Sequence, residues 1–121
     1  MKTVKIAIKE NLDGAVSFVD CPVYAERGGL AITKALLRRD KSGNLIFGER
    51  YRITHVKSGW AVYGDIKKLK WAREIFDAIL AIGFDFTLSE EEVRQFDKGP
   101  LTEIHKRVKE SGWYARASLA F

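Results

Sequence analysis

The sequence predicts an α+β domain: an antiparallel β-sheet of about five strands over residues 3–65, followed by two to three helices packed on one of its faces. Three observations predict it. Apolar and polar residues alternate with a period of two through much of the first 65 residues. Turn residues break that alternation repeatedly, as Asp13-Gly14, Gly28-Gly29, Ser42-Gly43 and Ser58-Gly59. Beyond residue 66 the apolar spacing changes to three and four, the period of a helix.

Thr3 to Lys9 sets Val4, Ile6 and Ile8 against Thr3, Lys5, Ala7 and Lys9, the pattern of a half-buried strand. Asn11 to Gly14 reads as a hairpin turn, and Ala15 to Asp20 as the returning strand. Cys21 to Gly29 reads as irregular, with Pro22 near its start and two glycines at its end. Leu30 to Asp40 admits a helix or a strand. The strand is preferred, because a tight turn at 40–44 follows it and the strand-like segment 45–56 follows that turn. Lys57-Ser58-Gly59 then turns the chain into a strand from Trp60 that ends at Gly64-Asp65.

A first helix is expected from about Ile66 to Ile82, with Asp65 as its cap and Gly83 as its stop. Its apolar stripe is Leu69, Ala72, Phe76 and Ile79. Ser89 with Glu92 three residues on forms the capping box of a short second helix. A break at Lys98–Pro100 precedes a third helix carrying Leu101, Ile104 and Val108 on one face, with Gly112 as C-cap. Residues 113–121 read as a final strand or a packed tail. The likeness of 55–64 to 107–117 is read as coincidence, since the flanks do not match.

The 121 residues fit a single domain spanning 1–121, large enough to bury a core without a metal or disulfide staple. One cysteine, Cys21, allows no intrachain disulfide. One Cys and two His make no zinc site without carboxylates, so neither metal nor cofactor is expected. Cysteine usage and the lack of a signal-peptide pattern point to the cytoplasm, and no stretch has the length of a membrane span. Net charge is +5. The excess lies in the first half: residues 1–65 hold 11 basic and 7 acidic side chains, against 10 and 9 in 66–121. Such a balance suits an acidic protein partner or nucleic acid.

Arg38, Arg39 and Lys41 flank one hairpin turn, Arg50 and Arg52 return on the next strand, and Lys57 sits at the next turn. Lys67, Lys68 and Lys70 open the first helix, where basic residues oppose the helix dipole and so hint at another use. Trp60 and Tyr63 are interleaved as possible anchors. These eleven residues are the candidate partner or nucleic-acid-binding set; sheets of basic and aromatic side chains track phosphate backbones and stack bases.

His55 and Ser58 raise the question of nucleophilic catalysis. No Gly-x-Ser-x-Gly elbow surrounds the serine, and Ser-Gly is ordinary turn chemistry, so a turn is the preferred reading. His105 reads as a boundary histidine on a helix flank. Glu90, Glu91 and Glu92 complement a helix start. No glycine-rich phosphate loop is present.

The stretch 53–79 resembles a pattern in small proteins of phages, plasmids and integrated elements, in which a Thr-His-x-x-Ser-Gly hairpin leads into a strand and a helix. The matching residues are Thr54, His55, Ser58, Gly59, Ala61 and Ala72. The resemblance implies a mobile-element accessory protein, a class that acts by binding, including inhibition of host defence complexes such as CRISPR nucleases. The resulting expectation is a non-enzymatic binder that modulates a host protein or nucleoprotein complex, with catalytic residues none and no membrane partner. The rivals are direct nucleic-acid binding through the same basic residues, and a small enzyme using His55 or His105.

Overall fold

Alternation of side-chain size in the strand at 30–39 decides the layering. Leu30 and Ile32 point to one side, and Ala31, Thr33 and Ala35 to the other. The large residues meet helices; the small ones meet a β-hairpin. In the computed structural model, which describes residues 2–9, 16–95 and 99–110, the chain is α+β, with six strands and three helices among those residues.

β1 (Thr3–Lys9) and β2 (Val16–Pro22) form a two-stranded antiparallel ribbon, with Ile6 opposite Val19. β3 (Ala25–Arg27), β4 (Leu30–Arg39), β5 (Leu45–His55) and β6 (Ala61–Ile66) form a second antiparallel sheet in sequential order. The single sheet of five strands expected from the sequence is therefore two sheets of two and four strands. The Val23 amide still donates to the Lys2 carbonyl at 3.1 Å and the Tyr24 amide to the Ile32 carbonyl at 2.9 Å, so the chain crosses at Val23-Tyr24 from one layer to the other. β3 lies in the segment expected to be irregular. It is only three residues long and stands next to Gly28-Gly29, so it carries no readable alternation. Segment 30–39 is strand, not helix.

The expected first helix starts later than its apolar stripe implied. Ile66 pairs with Tyr51 as the last residue of β6, and α1 runs Leu69–Leu80. Asp65 is not its cap. Lys68 occupies that position, and its side chain caps nothing. α1 ends with Ala81 as C-cap, short of Ile82 and Gly83. α2 (Glu90–Arg94) begins at Ser89, whose hydroxyl accepts from the Glu92 amide at 3.4 Å and donates to the Glu92 carboxylate at 2.9 Å. α3 (Gly99–Glu110) takes Gly99 and Pro100 into its first turn, where a missing amide costs nothing, instead of breaking at them. The Asn11–Gly14 turn, the Gly112 cap and the segment 113–121 lie outside the described residues.

Two apolar clusters result. One lies between the four-stranded sheet and the helices: Leu30, Ile32, Ile53, Tyr63 and Ile66 meet Ala72, Ile75, Ile79, Leu101 and Ile104, with Phe86 from the α1–α2 loop. The other is smaller: Val4, Ile6, Val19 and Cys21 of the ribbon against Ala31, with Phe47 and Leu45 half-buried beside them. Two glycines permit close approach. A Cβ on Gly29 would stand 2.3 Å from the Phe86 carbonyl oxygen, and one on Gly59 would stand 2.8 Å from the Ala7 nitrogen. Both have a positive φ, of 89° and 78°. At Gly59 the approach is used: the Ala7 amide donates to the Gly59 carbonyl at 2.9 Å and ties β1 to the β5–β6 turn. No helix among the described residues is long and apolar enough to cross a membrane.

Candidate binding face and cleft

Register brings part of the expected basic set together. Lys34, Tyr51 and Ile66 form one row across β4, β5 and β6, and Thr33 opposes Arg52 in the adjoining row. Lys34, Arg50, Arg52, Lys67 and Lys68 thus stand within two residues of this row. Period two puts Arg50 and Arg52 on the ribbon side. Lys67, Lys68 and Lys70, all exposed, border the same end of β6. α1 adds to their charge: its first turn holds no acid, so its positive dipole end is uncompensated.

Lys2, Lys5, Arg27 and Arg94 are neutralised in pairs. Lys2 meets Glu26 at 2.8 Å, Lys5 meets Asp20 at 2.8 Å, Arg27 meets Asp77 at 2.9 Å and Arg94 meets Glu90 at 2.8 Å. Among the described residues, Arg50, Arg52, Lys68 and Lys70 form no ion pair. Lys68 and Lys34 instead lie over the rings of Trp71 and Tyr51, at 5.0 and 5.3 Å.

The other expected contact residues do not join this face. Lys41 is exposed in the β4–β5 turn, which Asp40 knits by accepting from the Ser42 and Asn44 amides at 2.9 and 2.8 Å. Those amides hold the Asp40 carboxyl below the usual carboxylate range. Arg38 and Arg39 lie in β4 near that turn; their side chains are outside the described residues. Lys57 points to the helix side, its ammonium donating to the Thr87 carbonyl at 3.4 Å.

Tyr63 is not an exposed anchor. It is fully buried, its hydroxyl 2.7 Å from His105 Nδ1. Register shifts between β5 and β6 carry both Val62 and Tyr63 inward, which simple alternation does not anticipate. Burial pushes the Tyr63 phenol up to about 12, and burial, with Lys109 nearby, holds the His105 imidazole below its ordinary range. Both shifts favour the neutral forms, so the two groups share one neutral hydrogen bond. Trp60 is half-buried.

His55 and Ser58 do touch, although a turn separates them. His55 is fully buried. Its Nε2 donates to the Leu88 carbonyl at 2.9 Å, which leaves Nδ1 to accept the Ser58 proton at 2.7 Å. The Ser58 oxygen in turn accepts from the Trp60 amide at 3.2 Å. The third member is a neutral carbonyl where a catalytic triad has a carboxylate, and the serine hydroxyl is spent inside the turn. The trio fastens the β5–β6 turn to the loop that carries Phe86.

A cleft of about 260 Å³ opens between β1 and β6. Ile6 and Ala7 form one wall, Trp60, Ala61, Gly64 and Asp65 the other, and Thr33, Thr54 and Arg52 the base. Thr33 and Thr54 are buried, their hydroxyls 2.9 Å apart. Cys21 lies behind Thr33, fully buried, and burial pushes its thiol up. Asp65 has a φ of 61°, the one positive value at a non-glycine among the described residues. Of the cleft residues, only Arg52 and Trp60 belong to the sequence-derived set. Thr33, Thr54 and Asp65 escaped it, because their convergence depends on cross-strand register and on the ribbon's placement. Among the described residues, no three His, Cys, Asp or Glu side chains are placed to hold a metal ion. No protein-family model, characterised protein or solved structure matches this chain.

Proposed function

We propose that this chain is a non-enzymatic binding protein whose basic end docks on an acidic surface of a host protein or nucleoprotein complex and modulates it. The observation that carries this reading is a cluster: Arg50, Arg52, Lys68 and Lys70 stand near one another beside an uncompensated helix N-terminus, and among the described residues none of the four forms an ion pair. Unneutralised charge of one sign steers an oppositely charged partner and raises its association rate. Burial of Tyr63 and half-burial of Trp60 favour an acidic protein surface over single-stranded nucleic acid, because stacking requires exposed ring faces. The accessory role in a phage or mobile element, with a defence complex as one target, belongs to the same proposal and rests on the resemblance of the hairpin at 54–59.

The test is capture of host partners by the native chain and by an Arg50→Glu, Lys68→Glu, Lys70→Glu variant, with and without nuclease. A discrete complex that survives nuclease and is lost with the variant supports the reading. Capture unaffected by the three reversals refutes it. Recovery of nucleic acid alone transfers the function to phosphate binding, and affinity for duplex DNA then falls with salt at a log–log slope of roughly −0.9 per phosphate neutralised.

A further inference from the structure

We propose that the cleft between β1 and β6 binds a small α-amino acid, with Arg52 holding its carboxylate and Asp65 its ammonium group. Both side chains are half-buried on one cleft, yet among the described residues they form no ion pair with each other or with any other side chain. Half-burying two opposite charges without pairing them carries a desolvation cost that a bridging zwitterion recovers. Lys34 also borders the cleft, but its ammonium lies over the Tyr51 ring.

The surroundings fix both groups. The Arg52 side chain lies along β6 where Gly64 has no side chain: a Cβ there would stand 3.7 Å from Arg52 Cγ and 3.8 Å from Nε. The planar guanidinium suits a carboxylate, which it grips with two parallel hydrogen bonds. Asp65 sits in a left-handed conformation that aspartate tolerates better than most residues, and it follows Gly64 on the same rim. Backbone strain of this kind collects at ligand sites. At the base, the Thr33 and Thr54 hydroxyls both accept and donate, so the pair can share a further hydrogen bond with a ligand oxygen.

Size and lining set the ligand class. At about 260 Å³ the cleft falls below the roughly 300–1,000 Å³ of pockets for drug-sized ligands, so the occupant is small. Ile6 on one wall and Trp60 and Ala61 on the other give apolar surface for the ligand's side chain, which favours an apolar or aromatic amino acid. The site shares Arg52 with the docking face, but the two are tested by different variants. Arg52 is left intact in the charge-reversal variant above, so failure of one proposal does not carry over to the other.

The test is titration calorimetry of the full chain with each of the twenty L-amino acids. The tightest ligand is then compared with its analogue lacking the carboxylate, its analogue lacking the ammonium group, and inorganic phosphate. Arg52→Gln and Asp65→Asn are measured in parallel; asparagine also accepts a positive φ, so the second variant keeps the backbone. The expected result is one-to-one binding of an apolar or aromatic amino acid. Each analogue and each variant should bind at least about tenfold more weakly, the loss of one charge-assisted contact, with the variants' unfolding temperatures unchanged. The proposal is overturned if no amino acid binds. It is equally overturned if phosphate or the ammonium-free acid binds as tightly as the amino acid, or if Asp65→Asn keeps full affinity.

Discussion

The two faces of the four-stranded sheet are built from the same strands and do opposite work. The helix side is lined by Leu30, Ile32, Ile53, Tyr63 and Ile66, all fully buried. The ribbon side is lined by Ala31, Thr33, Thr54 and Ala61, and its small side chains leave a cleft where the other face leaves a filled core. Large branched residues and aromatics bury more apolar area per position, so stability concentrates on the helix side. The ribbon side gives up that stabilisation and gains room, hydroxyls and two unpaired charges.

Substitutions and pH sharpen this contrast, taken from the largest effect down. Phe86→Ala empties a fully buried site on the helix side, and unfolding in urea should show a loss of about 3–5 kcal/mol. Failure to lose at least about 2 kcal/mol would place the main core elsewhere.

Alkali tests the same face through Tyr63. Its phenol titrates near 10 in the unfolded chain and at about 12 in the fold, so the native state holds the proton more tightly. That contribution is complete below pH 10 and is lost as pH rises from 10 to 12, about 2–3 kcal/mol in all. Tyr63→Phe should remove this component of the alkaline slope. On the acid side the sign reverses. His105 is held below its ordinary range, so the unfolded chain binds more protons and stability falls as pH drops below the ordinary histidine value.

Ser58→Ala leaves buried His55 Nδ1 without its hydroxyl and the Trp60 amide without its acceptor, a loss of roughly 1–3 kcal/mol. Hydrogen exchange should then rise first in the β5–β6 turn and in the 84–88 loop. On the ribbon side, Val19→Ala removes two methyl groups from the smaller cluster, and the loss should be about 1–2 kcal/mol. A loss equal to that of Phe86→Ala would erase the distinction between the faces.

β1, β5, the stripe of α1 and the Ser89 cap were legible in the sequence, whereas the pattern of β4 fitted helix or strand and only the turn and strand after it favoured strand. What escaped it depends on tertiary placement. Ile66 continues the apolar stripe of α1, but pairing with Tyr51 claims it for β6, and Asp65 with it. Tyr63 looks like an exposed anchor until the register shifts turn it inward. Arg50, Arg52 and Lys68 entered the candidate set from composition and spacing alone, and register places them near one another. The cleft was not, because Ile6 and Asp65 lie far apart in the chain and meet only when the ribbon docks on Gly59.

That docking contact has a consequence for how the chain reaches its native state. β3, β4, β5 and β6 each pair with their neighbour in sequence, so the main sheet closes through short loops and zips hairpin by hairpin. The ribbon also forms locally, but its bond from Ala7 to Gly59 spans most of the sheet's length in sequence. The entropy of closing that loop is lost before the contact is gained. Docking of the ribbon on the four-stranded sheet is therefore expected to come late, and in stopped-flow refolding substitutions at Gly59 should speed unfolding more than they slow folding.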